Sequence, residues 1–306
     1  MRSASSYWYS RRGQRVYQAF PDHWTIHPDE DELLTLLREK RAVALRYSTA
    51  FDAPLGLASY HMVFERPTYG FSDVGSKTRS QVRRGLKNCA VEPIEFERIA
   101  QEGWPLHCDT LGRQGRQLRL SVQDWRRRWL AAAELPGFEA WGALIHGRLV
   151  ASEITFQMDD WCYFVYQQCH REFLRAKIPN ALTFAVTERI VGRPGIRAIF
   201  CGMHSLDAPT SVDEFKLLMG FTAKPVRQRI IFHPWLRPVI NRASHALVKY
   251  VKKRRPSDPV ISKAEGMIRF YLDGKRPIQQ QTLPEQLRKP AIDLPVPPTA
   301  TYLQNE

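Results

Sequence analysis

Apolar positions recur along this chain with two rhythms, one helical and one of period two, and the switches between them mark out the elements. Leu33, Leu34, Leu36 and Leu37 lie between the acids at Asp29–Asp31 and the bases Arg38 and Lys40. That arrangement predicts a short helix over Asp29–Lys40 with charges matched to its dipole. Ala42–Tyr47 and Ala58–Glu65 read as strands around the turn signal Asp52-Ala53-Pro54-Leu55-Gly56. Val82, Leu86 and Cys89 fall at i, i+4 and i+7, predicting a helix over Ser76–Asn88 that Gly85 interrupts, with a strand over Val91–Phe96 directly after it. His107–Ala133 reads as helical and Arg-rich, with Trp125 and Trp129 on one face and Leu135-Pro136-Gly137 closing it.

From residue 139 the period of two dominates. Glu139–Ile145, Leu149–Gln157 and Trp161–Cys169 are expected as three strands, turned at Gly147 and at Asp159-Asp160. A helix over Pro179–Val191 follows, with Ile178, Ala181, Leu182 and Ala185 as its apolar stripe and Arg193-Pro194-Gly195 as its stop. Arg197–Cys201 reads as a short buried strand, Val212–Met219 as a helix ended by Gly220, and Val226–Phe232 as a last strand. A meander feeding β-α-β-α-β implies a mixed sheet, with Trp161–Cys169 beside and parallel to Arg197–Cys201 and their ends splayed into a cleft. Beyond His233, Leu236, Ile240, Ala243, Leu247 and Val251 line one helix face, and the helix ends in Lys249, Lys252, Lys253, Arg254 and Arg255. The tail from about Lys275 is rich in Pro and Gln with little apolar content, so disorder is expected there. Disorder or loose packing is expected of the first twenty residues.

Composition adds a charge argument. The 306 residues suffice for one large domain or two ordinary ones, and 45 Lys plus Arg against 31 Asp plus Glu leaves a formal charge of +14. Such an excess favours polyanions: nucleic acid, anionic lipid, nucleotide phosphate or CoA. No apolar run reaches the ~20 residues that span a bilayer. The five cysteines show no CxxC pair and point to reduced thiols and a cytoplasmic setting. Cys162, Cys169, Cys201 and His204 could form a four-ligand set, but buried small hydrophobes are the better reading, and no metal is expected.

The element order resembles the N-acetyltransferase (GNAT) fold, and local patterns narrow the resemblance to the Fem-type peptidoglycan aminoacyltransferases and related FemAB-like acetyltransferase domains. Ser76-Lys77-Thr78-Arg79 through Arg83-Arg84-Gly85-Leu86-Lys87-Asn88-Cys89-Ala90-Val91-Glu92 is similar to their basic helix-to-strand segment. Asp213-Glu214-Phe215-Lys216-Leu217-Leu218-Met219-Gly220-Phe221 is similar to their FK…G helix, and Pro179-Asn180-Ala181-Leu182 to their proline-opened helix. Over residues 40 to 232 the resemblance implies an α/β (α+β) fold, a GNAT-like mixed sheet flanked by helices. Its C-terminal GNAT unit would pack on a half-related N-terminal unit. The divisions expected are an N-terminal extension over 1–40, an N-terminal GNAT-like half over 41–135 and a catalytic half over 136–234. A basic amphipathic helix over 235–256 and a partly disordered tail over 257–306 complete the chain.

The resemblance also implies a reaction: transfer of an acyl group from acyl-CoA (acetyl-CoA or another) or aminoacyl-tRNA, as co-substrate and not as tightly bound cofactor, to an amine. Acyl transfer to an amine needs a base and cover for the oxyanion. The resemblance sets Lys216 near the acyl carbonyl. Glu153 is the base candidate; it shares a strand face with Thr155 and Gln157, while Val150, Ile154 and Phe156 take the other. Tyr163 and Tyr166 should alternate faces, so that at most one meets the cleft. His204 and Asp207, after a strand's C-terminal end, are candidates for proton transfer. The stretch His170–Ile178 has no glycine where GNAT enzymes use glycines to cradle CoA pyrophosphate. Arg171, Arg175 and Lys177 would hold donor phosphate there by side chains, Phe215 of the FK…G helix is a further donor-binding candidate, and Arg79, Arg83, Arg84 and Lys87 suit a phosphate-bearing partner such as tRNA. A competing reading is a non-catalytic GNAT-fold module gripping nucleic acid or an anionic membrane through its basic surface. A dedicated nucleic-acid reader would need a zinc, helix-turn-helix or RNA-binding signature that is not in the sequence.

Overall fold

A computed structural model describes residues 1–10, 15–118, 120–207, 210–256 and 258–288. In chain order they form β1 (Tyr7–Tyr9), β2 (Val16–Phe20), α1 (Glu30–Glu39), β3 (Ala44–Thr49), β4 (Leu57–Phe64), α2 (Ser76–Asn88), β5 (Ala90–Ile94), α3 (Phe96–Arg113) and α4 (Val122–Ala133). The second half continues with β6 (Phe138–Ile145), β7 (Arg148–Met158), β8 (Trp161–Cys169), α5 (Ile178–Val191), β9 (Ala198–Met203), α6 (Thr210–Leu218), β10 (Thr222–Phe232), α7 (Arg242–Arg254), α8 (Pro259–Asp273) and α9 (Glu285–Arg288).

The described strands make one mixed sheet in the order β1-β2-β3-β10-β4-β9-β8-β7-β6-β5. As expected, β8 and β9 are parallel neighbours, paired at Trp161↔Ala198, Cys162↔Ile199 and Tyr163↔Phe200, with α5 as the crossover. The two halves of the chain share this sheet: β10 lies antiparallel between β3 and β4, and β4 bridges β10 to β9. On one face Tyr60, Met62, Phe64, Val82, Trp141, Ile178, Leu182, Phe184 and Ile199 form the main core beneath α5 and α2. On the other, α3 and α4 bury Ile99, Trp125, Trp129, Ala140 and Ile154.

Gly85, which weakens α2 as an isolated helix, is explained by α5. A Cβ on Gly85 would sit 2.4 Å from the Lys177 carbonyl oxygen and 2.7 Å from the Ala181 Cβ. Only a glycine lets the two helix backbones come this close, and the contact outweighs the propensity cost of about 1 kcal/mol.

Several expectations are corrected. His107–Ala133 is not one helical stretch: α3 starts at Phe96 and ends before Gly115 at φ +62, and α4 restarts at Ser121, whose hydroxyl caps the Asp124 amide. Phe96 therefore opens a helix instead of ending a strand, and its ring stacks on Trp129. The first residues are not loosely packed, because Trp8 is buried against Tyr47 and the segment supplies two strands. The helix beyond His233 does not start at Leu236. Pro234–Val239 is a 3-10 segment containing Pro238, and α7 begins after Asn241, whose side chain accepts from the Ala243 and Ser244 amides. Within the expected tail, α8 packs Met267, Ile268 and Phe270 onto the core, with Phe270 fully buried. Residues 289–306 of that tail lie outside the described residues.

Gly85→Ala should lower thermal stability despite alanine's better helix propensity, by about 1–3 kcal/mol, because the added methyl drives α2 off α5. Thermal and urea melts of the variant check this; an unchanged or raised midpoint would contradict the close contact.

Candidate functional site

The site is built where β8 and β9 part. Past Tyr163↔Phe200 the two strands no longer pair with each other, and each carries an extra residue at that point. In β8, Val165 has no opposite number on β7, since Phe164 pairs Thr155 and Tyr166 pairs Ile154. In β9, Cys201 has none on β4, since Phe200 pairs Val63 and Gly202 pairs Met62. Each bulge bends and over-twists its strand. Gly202, at φ +121, adopts a backbone that a side chain would strain.

The β8 bulge also resets which side chains face α5. Cys162 and Phe164 point to the α5 core before it and Cys169 does so after it, so parity flips from even to odd. Gln167 thereby reaches α5, donating to the Thr183 hydroxyl at 2.6 Å. The same flip corrects the expectation for the two tyrosines. Tyr163 packs with Trp161 and Phe200, and Tyr166 bonds His107 under α3, so both point away from α5.

Glu153 on β7 points under α5 into the splay and is 1 % exposed. Burial pushes its carboxyl up to about 8, against the smaller opposing pull of the Gln167 amide and the Lys216 ammonium. Its Oε2 has no hydrogen-bond partner in the structure. Lys216 enters from α6 with its Nζ beside Gly202 and 3.2 Å from the Asp213 carboxylate, one helical turn earlier. The other Asp213 oxygen accepts the Tyr60 hydroxyl at 2.7 Å. Tyr60 stacks on His204 at 4.7 Å, and His204 Nδ1 meets the Ser59 hydroxyl at 3.1 Å. Burial and Arg269 pull His204 down to about 4, so its ring is neutral at pH 7. Burial and the adjacent Lys216 act oppositely on the Cys201 thiol, and burial wins, pushing it well above the usual range.

Of the candidates from sequence, Lys216 and His204 are thus linked through Asp213 and Tyr60, while Glu153 bonds Gln167 and feels the Lys216 charge, and Phe215 packs in the core. Asp207 accepts locally from the Ser205 hydroxyl at 3.2 Å. Arg171 is engaged elsewhere, its guanidinium and amide both bound by Asp109. Arg175 is exposed, and Lys177 caps α5 in the left-handed conformation at φ 65. Because Lys177 abuts Gly85, the two basic groups read separately from sequence lie on adjacent elements. Arg84 and Lys87 are exposed on α2, Arg83 lies 5.1 Å over the Phe71 ring, and Arg79 bonds the Val74 carbonyl with its Nε buried. Sequence reasoning missed Asp213, Tyr60 and Gln167 as members. Asp213 had a signal in its i, i+3 spacing from Lys216; Gln167 had none, since plain alternation turns it away. The cysteines and His204 do not gather, and no metal-binding cluster occurs among the described residues. A cavity of about 510 Å³ lies apart from the splay, between α1, β10 and α8, lined by Leu33, Arg229, Ile231, Phe270 and Lys275.

No family model and no curated protein matches the sequence. Solved structures do. FemX matches with a TM-score of 0.52 at 11 % identity, over 76 % of this chain and 85 % of FemX. The C-terminal domain of a putative lysylphosphatidylglycerol synthetase from Agrobacterium fabrum matches at TM-score 0.46 and 13 % identity, over 71 % and 78 % of the two chains. A tandem GNAT protein from the clavulanic acid pathway matches at 0.44 and 12 %, over 72 % and 76 %. The fold is GNAT-like, and at these identities the likeness speaks for fold alone.

Glu153 has a stability signature. An acid whose folded pKa is raised from 4.5 to about 8 holds a proton that the unfolded chain releases across that window. Folding therefore loses stability as pH rises through it, by up to about 1.4 kcal/mol per pH unit. Glu153→Gln should match the parent in melting temperature at pH 4.5 and exceed it at pH 8.5. Parallel curves for the two proteins would show the carboxyl to be solvated.

Proposed function

We propose that this chain is an acyltransferase that moves an acyl group from an activated donor to an amine. What carries the reading is one observation: a buried carboxyl with a free oxygen, Glu153, within the electrostatic reach of the Lys216 ammonium near where the sheet opens. A buried polar atom without a partner costs about 1–3 kcal/mol in most settings, and such costs persist where a group is kept for a ligand. With an acyl donor laid into the splay, ionised Glu153 accepts the proton of the attacking amine. The Lys216 ammonium, held in place by Asp213, which Tyr60 holds in turn, covers the oxyanion of the tetrahedral intermediate. Collapse of that intermediate breaks the bond to the donor, and Glu153 returns its proton to the departing thiol sulfur or hydroxyl oxygen. Neutral His204, under Tyr60, stiffens this support.

The donor is acyl-CoA or aminoacyl-tRNA. Glu172, Phe173 and Leu174 stand in the loop before α5 where close backbone approach to a pyrophosphate would need glycine. Arg175 and Lys177 before α5 and Arg84 and Lys87 on α2, which packs against it, put basic residues on two adjacent elements, and that charge suits an extended polyanion, so we take aminoacyl-tRNA as the donor. A non-catalytic module has in its favour that the 510 Å³ cavity lies away from the splay. It leaves the buried Glu153 without a purpose.

Lys216→Ala should reduce turnover roughly 10²-fold in a chain that still folds, with a lowered melting temperature because buried Asp213 loses its cation. kcat/KM should climb with pH through about 8 as Glu153 ionises, and Glu153→Gln should abolish that climb. Unchanged rates in both variants would return the two residues to structure.

Donor identity is read from salt. Binding of charged tRNA should weaken steeply between 50 and 200 mM salt, roughly 10-fold or more, since several counterions leave together. Arg84→Ala with Arg175→Ala should flatten that slope. Tight acetyl-CoA binding, with no transfer from charged tRNA, would leave an acyl-CoA enzyme.

A further inference from the structure

We infer that the outward surface of residues 235–260 is a docking face for an anionic lipid bilayer. Five of the seventeen large hydrophobic side chains exposed among the described residues fall in this one stretch: Trp235, Val239, Leu247, Tyr250 and Val260. Trp235 is 65 % and Leu247 64 % exposed, which is unusual for side chains this large. No acid occurs between Glu214 and Asp258, while Arg237, Arg242, Lys249, Lys252, Lys253, Arg254 and Arg255 do.

The way α7 is held decides which face remains outside. His245 and Lys252 both reach Glu265 of α8, at 3.1 and 2.7 Å, and Val248 packs into the α8 core. These three, spaced three and four apart, are the inner face. Leu247, Tyr250 and Arg254 have the same spacing about half a turn away, so they form the outer stripe, with Arg254 lying 4.7 Å over the Tyr250 ring. No residue of α7 is buried. The apolar stripe expected from sequence is thus divided: Leu236 and Ile240 turn inward and Leu247 outward.

An apolar stripe flanked by cations, with an aromatic residue at its edge, has the chemistry of a helix lying in a membrane interface. Glu30, Asp273 and Glu265 pair Arg237, Arg242 and Lys252 from neighbouring elements, while Lys249, Lys253, Arg254 and Arg255 stand exposed beside the stripe and suit anionic headgroups. The face is also rigidly tied to the candidate site. α8, on which α7 rests, meets the loop after β9 through Gly266 against Leu206, Arg269 on the Leu206 carbonyl, and Phe270 beside His204. The proposal does not depend on the acyl-transfer reading, because binding is measured without turnover.

The test is co-sedimentation of the full chain with vesicles of phosphatidylcholine alone, or with about a third phosphatidylglycerol, in 150 mM salt. Binding is expected only with phosphatidylglycerol present, and Leu247→Ser with Tyr250→Ser should weaken it roughly 10-fold. Those side chains are exposed, so the variant should melt like the parent. Equal binding by parent and variant would reduce the effect to the adhesion of a +14 protein and overturn the proposal. So would absence of sedimentation with either vesicle. A dimer in solution that the same substitutions disperse would assign the face to a second copy and overturn it as well.

Discussion

The parting of β8 from β9 is the constraint on which the rest of this molecule depends. Parallel neighbours in a sheet ordinarily stay paired, because an unpaired backbone buried in the middle of a sheet is costly. Here each strand instead takes in one extra residue, Val165 or Cys201, where pairing ends. The bulges supply the bend that opens the sheet. They also decide what lines the opening, since a shift of one residue reverses the facing of every side chain beyond it. Gln167 reaches Thr183 only because of Val165. The parting of the strands and the residues that line it thus have one cause.

That opening needs a rigid frame. β4, contributed by the N-terminal half, runs between β9 and β10 and so fixes one wall of the splay from outside the C-terminal unit. It also delivers Tyr60 to Asp213, so the orientation of Lys216 depends on a strand more than 150 residues earlier in the chain. α5 supplies the other wall, held down by α2 at Gly85. A tether between halves could not hold such distances, whereas a shared sheet does.

The architecture was legible where local chemistry and tertiary need agree. The Ser76–Asn88 helix and the Trp161–Cys169 strand have the limits that their apolar periods predict, and the parallel step follows from handed connection rules. Glu153 and Lys216 could be chosen from strand position and resemblance. What was not legible required a partner far away in sequence. Alternation gives no notice of a bulge, so the period of two sets Tyr163 and Tyr166 on opposite faces. Gly85 looked like a flaw in a helix until Lys177 lay against it. α8 was hidden because its stripe of Met267, Ile268 and Phe270 is short and stands beside a Pro- and Gln-rich run. Its partner, the Leu206 loop, gives it a place.

α8 also connects two features that would otherwise be unrelated. Its inner side closes over the loop carrying His204 and Leu206, and Glu265 binds His245, Lys252 and Arg269 together. A carboxylate 6 % exposed among three basic groups is stable only while they stay, since removing them would leave a buried charge unpaired. The basic helix α7 is therefore fixed to the body and not a loose appendage, and its outer stripe keeps a set orientation toward whatever it meets. Held rigidly to the sheet, that outer stripe has an orientation relative to the parting of β8 and β9 that is a property of the fold.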